Sequence, residues 1–131
     1  MKINIFGMGY VGCVTAACFA NEGHIVTGID IDKNKVDIIN KGKSPIIEEG
    51  LQEIIKNGVS AKHFMATTND IPNAEVSIIC VGTPSKHNGS LDLQHIVRVC
   101  EQIGNIIKKS SSYHVVNVRS TILPGTTENV I

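Results

Sequence analysis

The chain has no tryptophan, and only two tyrosines and three phenylalanines are scattered over its 131 residues. Phe6, Phe19, Phe64, Tyr10 and Tyr113 therefore form no stacking platform for single-stranded nucleic acid, and most of them are expected in the core. An excess of one charge is missing too. Twelve basic and twelve acidic residues cancel, and neither sign gathers into an arm or tail, which disfavours nucleic acid and anionic membrane as partners. No apolar run approaches the ~20 residues of a membrane-spanning helix. The N-terminal Met1-Lys2-Ile3-Asn4-Ile5-Phe6 is interrupted by polar residues and then broken by glycine, unlike a secretory leader. The four cysteines, Cys13, Cys18, Cys80 and Cys100, include no C-x-x-C pair and no histidine at ligand spacing, against both a zinc site and a disulfide framework. Cys13 and Cys18 in an apolar helix, and Cys80 in a strand, are expected as inert core thiols. The five histidines suggest no Ser-His-Asp arrangement. These absences leave one cytoplasmic domain, long enough to bury a core without metal or disulfide.

Glycine, by contrast, is concentrated where it matters. Gly7, Gly9 and Gly12 of Ile5-Phe6-Gly7-Met8-Gly9-Tyr10-Val11-Gly12 follow an apolar run and open a helical pattern. Gly7 suits a tight turn out of a strand, Gly9 a close backbone approach to a pyrophosphate, and Gly12 close packing of helix on sheet. A phosphate would then meet free N–H groups at the positive end of the helix. With twelve glycines in the chain, the spacing alone is weak; its context carries it.

That context is an alternation of strand and helix. Lys2–Phe6 reads as a strand, and Tyr10–Asn21 as a helix with Val11, Val14, Ala17, Cys18 and Asn21 at helical spacing. Residues 25–30 read as a second, buried strand, completing a βαβ unit. Asp32 is the expected N-cap of a helix whose inner face holds Val36 and Ile39, with Gly42 beyond its end. Glu48 or Glu49 starts another, with Leu51, Ile54 and Ile55 inward and Asn57-Gly58 as its stop. Phe64–Thr67 is a short strand, Asn69-Asp70 and Pro72-Asn73 are turn or short-helix chemistry, and residues 76–81 a strand ending at Gly82-Thr83-Pro84. Leu93, Ile96, Val97, Cys100, Ile103, Ile106 and Ile107 mark an amphipathic helix from Asp92 to Lys108-Lys109. Val115–Val118 is the last strand, and Pro124-Gly125 turns into a helix at Thr126. The order predicts an α/β fold, a doubly wound parallel sheet of Rossmann type, with ligands beyond the carboxyl ends of its strands. Four strand ends, at Gly7, Asp30, Gly82-Thr83 and Ser120-Thr121, carry glycine, hydroxyl or acidic residues there.

Asp30 follows Gly12 at close to the ~20-residue spacing of the acid that accepts hydrogen bonds from an adenosine ribose. A carboxylate at that place repels a 2′-phosphate, which favours NAD over NADP. Asp30 could instead cap the next helix, although Asp32 suits that role better. Lys35, one turn on, could reach the same ribose or be a solvated surface charge. Thr83 and Thr121 each follow a strand expected to be buried; small hydroxyls there can bond a cofactor ribose or position a water, or simply bond their own turns. Arg119 is either a charge at a strand's end or a counter-charge near the pyrophosphate.

Five blocks in order, Phe6-Gly7-Met8-Gly9-Tyr10-Val11-Gly12, Gly28-Ile29-Asp30-Ile31-Asp32, Ser44-Pro45-Ile46-Ile47-Glu48-Glu49-Gly50-Leu51, Val81-Gly82-Thr83-Pro84-Ser85 and Arg119-Ser120-Thr121-Ile122-Leu123-Pro124-Gly125-Thr126, resemble the nucleotide-sugar 6-dehydrogenases. Within that family the Lys41-Gly42-Lys43-Ser44-Pro45, Asn88-Gly89-Ser90-Leu91-Asp92-Leu93 and Leu123-Pro124-Gly125-Thr126 runs are most similar to members acting on GDP-mannose, then to those acting on UDP-glucose. The resemblance implies an NAD-binding domain over residues 1–131, with Tyr10 and Val11 at the phosphate turn, Asp30 and Lys35 at the adenosine ribose, and Thr83 and Thr121 nearer the nicotinamide. It implies oxidation of a sugar C6 alcohol to a carboxylate by two hydride transfers to two NAD molecules. A cysteine would form a thiohemiacetal and then a thioester that water hydrolyses, and Thr121 resembles the threonine that helps hold that water.

Two departures stand out. Glu49 replaces the proline of the family's Glu-Pro-Gly-Leu, altering the stiffness of that loop and weakening a substrate role for Glu48. The family's Gly-Gly-x-Cys segment, central dimerising helix and sugar-nucleotide domain have no counterpart here. The chain thus resembles the family's N-terminal piece, expected to bind NAD without turnover, with a nucleotide sugar and a homo-oligomer both depending on further segments. A non-catalytic NAD-binding module and a phosphate-binding domain with no nicotinamide role are the alternatives.

Overall fold

A computed structural model describes all of residues 1–131. The elements follow the expected alternation: β1 (Lys2–Phe6), α1 (Tyr10–Asn21), β2 (Ile25–Ile29), α2 (Lys33–Asn40), α3 (Leu51–Ser60), β3 (Phe64–Thr67), β4 (Val76–Ile79), α4 (Gln94–Ile107), β5 (Val115–Val118) and a last turn, α5 (Thr126–Asn129). All five strands are parallel, in the order β3-β2-β1-β4-β5. The chain winds outward from β1 through β2 to β3, then crosses back to β4 and β5. Strand order therefore reverses between β1 and β4, and that switch point is where an open parallel sheet leaves a crevice.

The two faces of the sheet hold separate apolar clusters. Ile3, Ile5 and Val26 point to one, where α1, Val36 and Ile39 of α2, and Leu51 and Ile55 of α3 cover them. Phe6, Ile29 and Ile79 point to the other, against Ile96, Val99 and Ile103 of α4. Because β1 is central and covered on both faces, even Asn4 is buried, its amide donating to the Pro72 carbonyl at 2.8 Å.

Several expectations are corrected by this packing. In α1 the buried residues are Gly12, Cys13, Thr15, Ala16, Ala17 and Ala20, while Val11, Cys18 and Asn21 face solvent. The smallest side chains take the sheet side because the helix lies close to the strands. Helix α3 does not stop at Asn57-Gly58 but runs on to Ser60; a Cβ at Gly58 would press on the Cβ atoms of Phe64 and Ala20, at 3.3 and 3.4 Å, so this glycine serves packing. Of the two readings of residues 68–75, turn or short helix, the helix is absent. Tyr10 and Tyr113 are exposed rather than core. Finally, β5 is not a buried strand: none of its four residues is buried, since it is the sheet's edge. The opposite edge is protected. Asn40 pairs with the outer side of β3, donating to the Ala66 carbonyl at 2.9 Å and accepting from its N–H at 2.8 Å. No helix is long and apolar enough to cross a membrane.

Candidate functional site

The glycine turn sits where the switch point places it. Gly7 takes φ of +95°, and a Cβ there would lie 2.8 Å from the Cys80 carbonyl oxygen, so turn conformation and the closeness of β4 both demand glycine. A Cβ on Gly12 would collide with the Gly7 carbonyl oxygen. Gly9, the N-cap residue of α1, caps it with no side chain, and a Cβ on it would meet nothing within 4 Å. The N–H groups of the first helical turn have no intrahelical partner. Packing gives no reason for glycine at position 9, and the space beside it is open, next to a helix N-terminus whose free N–H groups favour an anion.

Asp30, directly after β2, is turned back onto the glycine turn. Its Oδ2 accepts from the Met8 N–H at 2.6 Å and its Oδ1 from the Asp32 N–H at 2.9 Å. A carboxylate offers about four lone-pair sites, so two such bonds leave it able to accept from a diol. The Lys35 ammonium stands 3.8 Å from Oδ2. Asp32 rather than Asp30 caps α2, accepting from the Asn34 N–H at 2.9 Å.

Gly7, Gly9, Asp30 and Lys35 share one cleft of about 490 Å³ between the ends of β1, β2 and β4. Its far wall was not foreseen from sequence: His95, Arg98 and Gln102 of α4 line it, with Thr68 after β3. The exposed Ile31 forms an apolar lip. Of the remaining candidates, Tyr10 and Val11 are exposed on the first turn of α1, and the Tyr10 hydroxyl donates to the Ile47 carbonyl at 2.6 Å, tying the 44–50 loop beside the glycine turn. Thr83 and Thr121 meet each other, Thr83 Oγ1 donating to the Thr121 carbonyl at 2.8 Å. Glu48 and Glu49 are exposed. Arg119 reaches helix α1, donating to Thr15 Oγ1 at 2.9 Å.

The thiols differ from expectation. Cys18 is exposed, and Cys80 and Cys100 are half-buried; Cys80 borders the cleft. Burial pushes the Cys13 thiol up to about 11, opposed by the Lys35 ammonium. Burial also raises Cys80, partly offset by the Arg119 guanidinium, and raises Cys100. No three His, Cys, Asp or Glu side chains group as metal ligands.

Comparison with known proteins agrees with this geometry. The sequence profile of the UDP-glucose/GDP-mannose dehydrogenase family, NAD binding domain, matches residues 1–131. The GDP-mannose 6-dehydrogenase of Azotobacter vinelandii is 49% identical over the whole chain, which covers 31% of that relative. The UDP-glucose 6-dehydrogenase of Pseudomonas aeruginosa is 39% identical over 99% of the chain and 29% of its own length. A crystal structure of a ternary complex of GDP-mannose dehydrogenase from Pseudomonas aeruginosa superposes with a TM-score of 0.94 at 49% identity, covering 99% of this chain and 30% of that one. The chain thus spans about a third of the length of these relatives. A doubly wound parallel sheet, a glycine turn at its switch point and a profile match from end to end identify the chain as a member of the UDP-glucose/GDP-mannose dehydrogenase family, in its NAD binding domain.

Proposed function

We propose that residues 1–131 hold NAD for a nucleotide-sugar 6-dehydrogenase, with GDP-mannose as the sugar nucleotide and UDP-glucose as the second reading. The single observation that carries cofactor binding is the pairing of an empty-sided Gly9 with an Asp30 carboxylate turned into the same cleft. The pyrophosphate would sit on the N-terminal turn of α1, at Gly9, Tyr10 and Val11, and the adenosine ribose hydroxyls would donate to Asp30 with Lys35 alongside. NAD supplies a hydride acceptor when bound; the chain's own residues bind and orient it. Thr83 and Thr121 follow β4 and β5 and do not themselves line the cleft, although Gly82 and Pro84 on either side of Thr83 do; their contact with the nicotinamide half, and a water-holding role for Thr121, belong to this proposal.

GDP-mannose is preferred because the relatives named for it are closer in sequence than that named for UDP-glucose, 49% against 39%. Calorimetry with NAD and NADP tests the cofactor assignment. NAD is expected to bind, and NADP at least about tenfold more weakly because its 2′-phosphate would face the Asp30 carboxylate. Equal affinities, or no binding of NAD, would overturn it.

A further inference from the structure

Regular pairing of β4 with β5 ends at Ile79 and Val118. Beyond it two hydroxyls continue the connection in opposite directions. Ser120 Oγ, from the β5 side, donates to the Val81 carbonyl at 2.7 Å, and Thr83 Oγ1, from the β4 side, donates to the Thr121 carbonyl at 2.8 Å. The Arg119 and Ser120 N–H groups both converge on the Ile79 carbonyl, at 2.9 and 3.1 Å. Arg119 is in turn anchored through its guanidinium to Thr15 of α1, whose hydroxyl donates to the Val11 carbonyl at 2.6 Å. The segment 119–121, directly after the edge strand β5, none of whose residues is buried, is thus joined by polar bonds to the β4 side and to helix α1.

We propose that Ser120 is a positioning residue for the nicotinamide half of the cofactor, closing with Thr83 a reciprocal clamp that sets where Thr83 and Thr121 stand. The inference rests on the NAD-binding reading above and goes beyond it in naming Ser120 and the polarity of Thr83. A threonine hydroxyl has one proton, and that of Thr83 is given to the Thr121 carbonyl. Toward a ligand Thr83 therefore acts only as an acceptor, matched to an N–H or O–H donor such as a carboxamide or ribose hydroxyl. The clamp leaves the Thr121 hydroxyl itself uncommitted.

The test compares NAD with ADP, which carries the adenosine and both phosphates but no nicotinamide riboside. Calorimetry on the wild-type chain, Ser120→Ala, Ser120→Thr and Thr83→Val would be accompanied by thermal melts. Ser120→Ala and Thr83→Val are expected to weaken NAD at least about fivefold, the order of one lost hydrogen bond, while ADP affinity stays unchanged. Ser120→Thr, which keeps the hydroxyl, is expected to restore NAD affinity. Equal loss for both ligands, or no loss for either, overturns the clamp. So does a wild-type chain that binds NAD no better than ADP, although that result leaves the phosphate and adenosine sites standing. A wild-type chain that binds neither ligand overturns the cofactor reading itself, and the clamp with it. Should Ser120→Ala not fold, Ser120→Cys, which keeps the side chain's shape but offers only a weak donor to the Val81 carbonyl, carries the same comparison.

Discussion

A Cβ built on Gly12 collides with the Gly7 carbonyl oxygen, whereas one built on Gly9 meets nothing within 4 Å. The two glycines of one motif are therefore separable by measurement. Gly12→Ala forces helix and turn apart, an overpacking that typically costs about 1–3 kcal/mol, and is expected to lower melting temperature and NAD affinity together. Gly9→Ala changes a cap whose glycine-to-alanine cost is at most about 1 kcal/mol, so melting should shift little while NAD affinity falls more than about tenfold. Thermal melts and calorimetry on both variants check this; parallel losses in the two would show that Gly9 is also structural. At this scale the sequence carried the glycine turn and Asp30, because both obey a fixed local spacing. His95, Arg98, Gln102 and Thr68 were not legible as cleft residues. They come from remote stretches, and the periodicity of α4 reports only an apolar stripe, of which Ile96 and Ile103 are buried against the sheet, joined there by Val99, which the stripe did not include. The partner of Thr83 was equally hidden, since hydroxyl bonds across two strand ends leave no pattern in either strand.

Among the elements, β3 is the edge strand whose outer backbone is occupied. The Asn40 side chain both donates to and accepts from Ala66, doing for one residue what a neighbouring strand would do. Asn40→Ala leaves both Ala66 backbone groups to find water or go unpaired, and each partly buried bond lost costs about 1 kcal/mol. A destabilisation of about 1–3 kcal/mol in a denaturant melt is expected, with NAD affinity unchanged because Asn40 lies outside the cleft. A melt identical to wild type would show that water replaces the pair at no cost. The order of elements and most of their bounds were readable from hydropathy, since long periodic runs such as α4 and compact β-branched runs such as Val76–Ile79 have few competing conformations. The end of α3 was misread because glycine stops helices in general, while here Gly58 is retained inside one by contact with Phe64 and Ala20. In α1 the expectation of a core Cys18 failed for a related reason: with small residues all round, periodicity is weak, and the closeness of the sheet decides which of them go inside.

At the scale of the whole molecule, the sheet order brings the carboxyl ends of β1, β2 and β4 around one cleft, to which the only thiol it brings is that of Cys80. The thioester chemistry implied by the family resemblance needs a reactive thiolate. Cys13 is fully buried, and its thiol, pushed up to about 11, stays protonated at neutral pH. Cys80 is the one thiol bordering the cleft, and burial raises it as well. Cys100 is half-buried with a raised thiol, and Cys18, though exposed, lies outside the cleft. The relatives named for sugar oxidation are about three times as long as this chain. The 131 residues are therefore expected to bind NAD yet to produce no reduced cofactor from GDP-mannose or UDP-glucose. The assay follows the absorbance of reduced cofactor, with calorimetry on the same preparation confirming that NAD is bound. Sustained reduction would mean that a sugar site and a competent thiol both lie within these elements. Cys80→Ser then decides the point: if turnover survives it, the oxidation proceeds without the only cysteine that touches the cleft, and the division of labour argued from the four thiols is wrong.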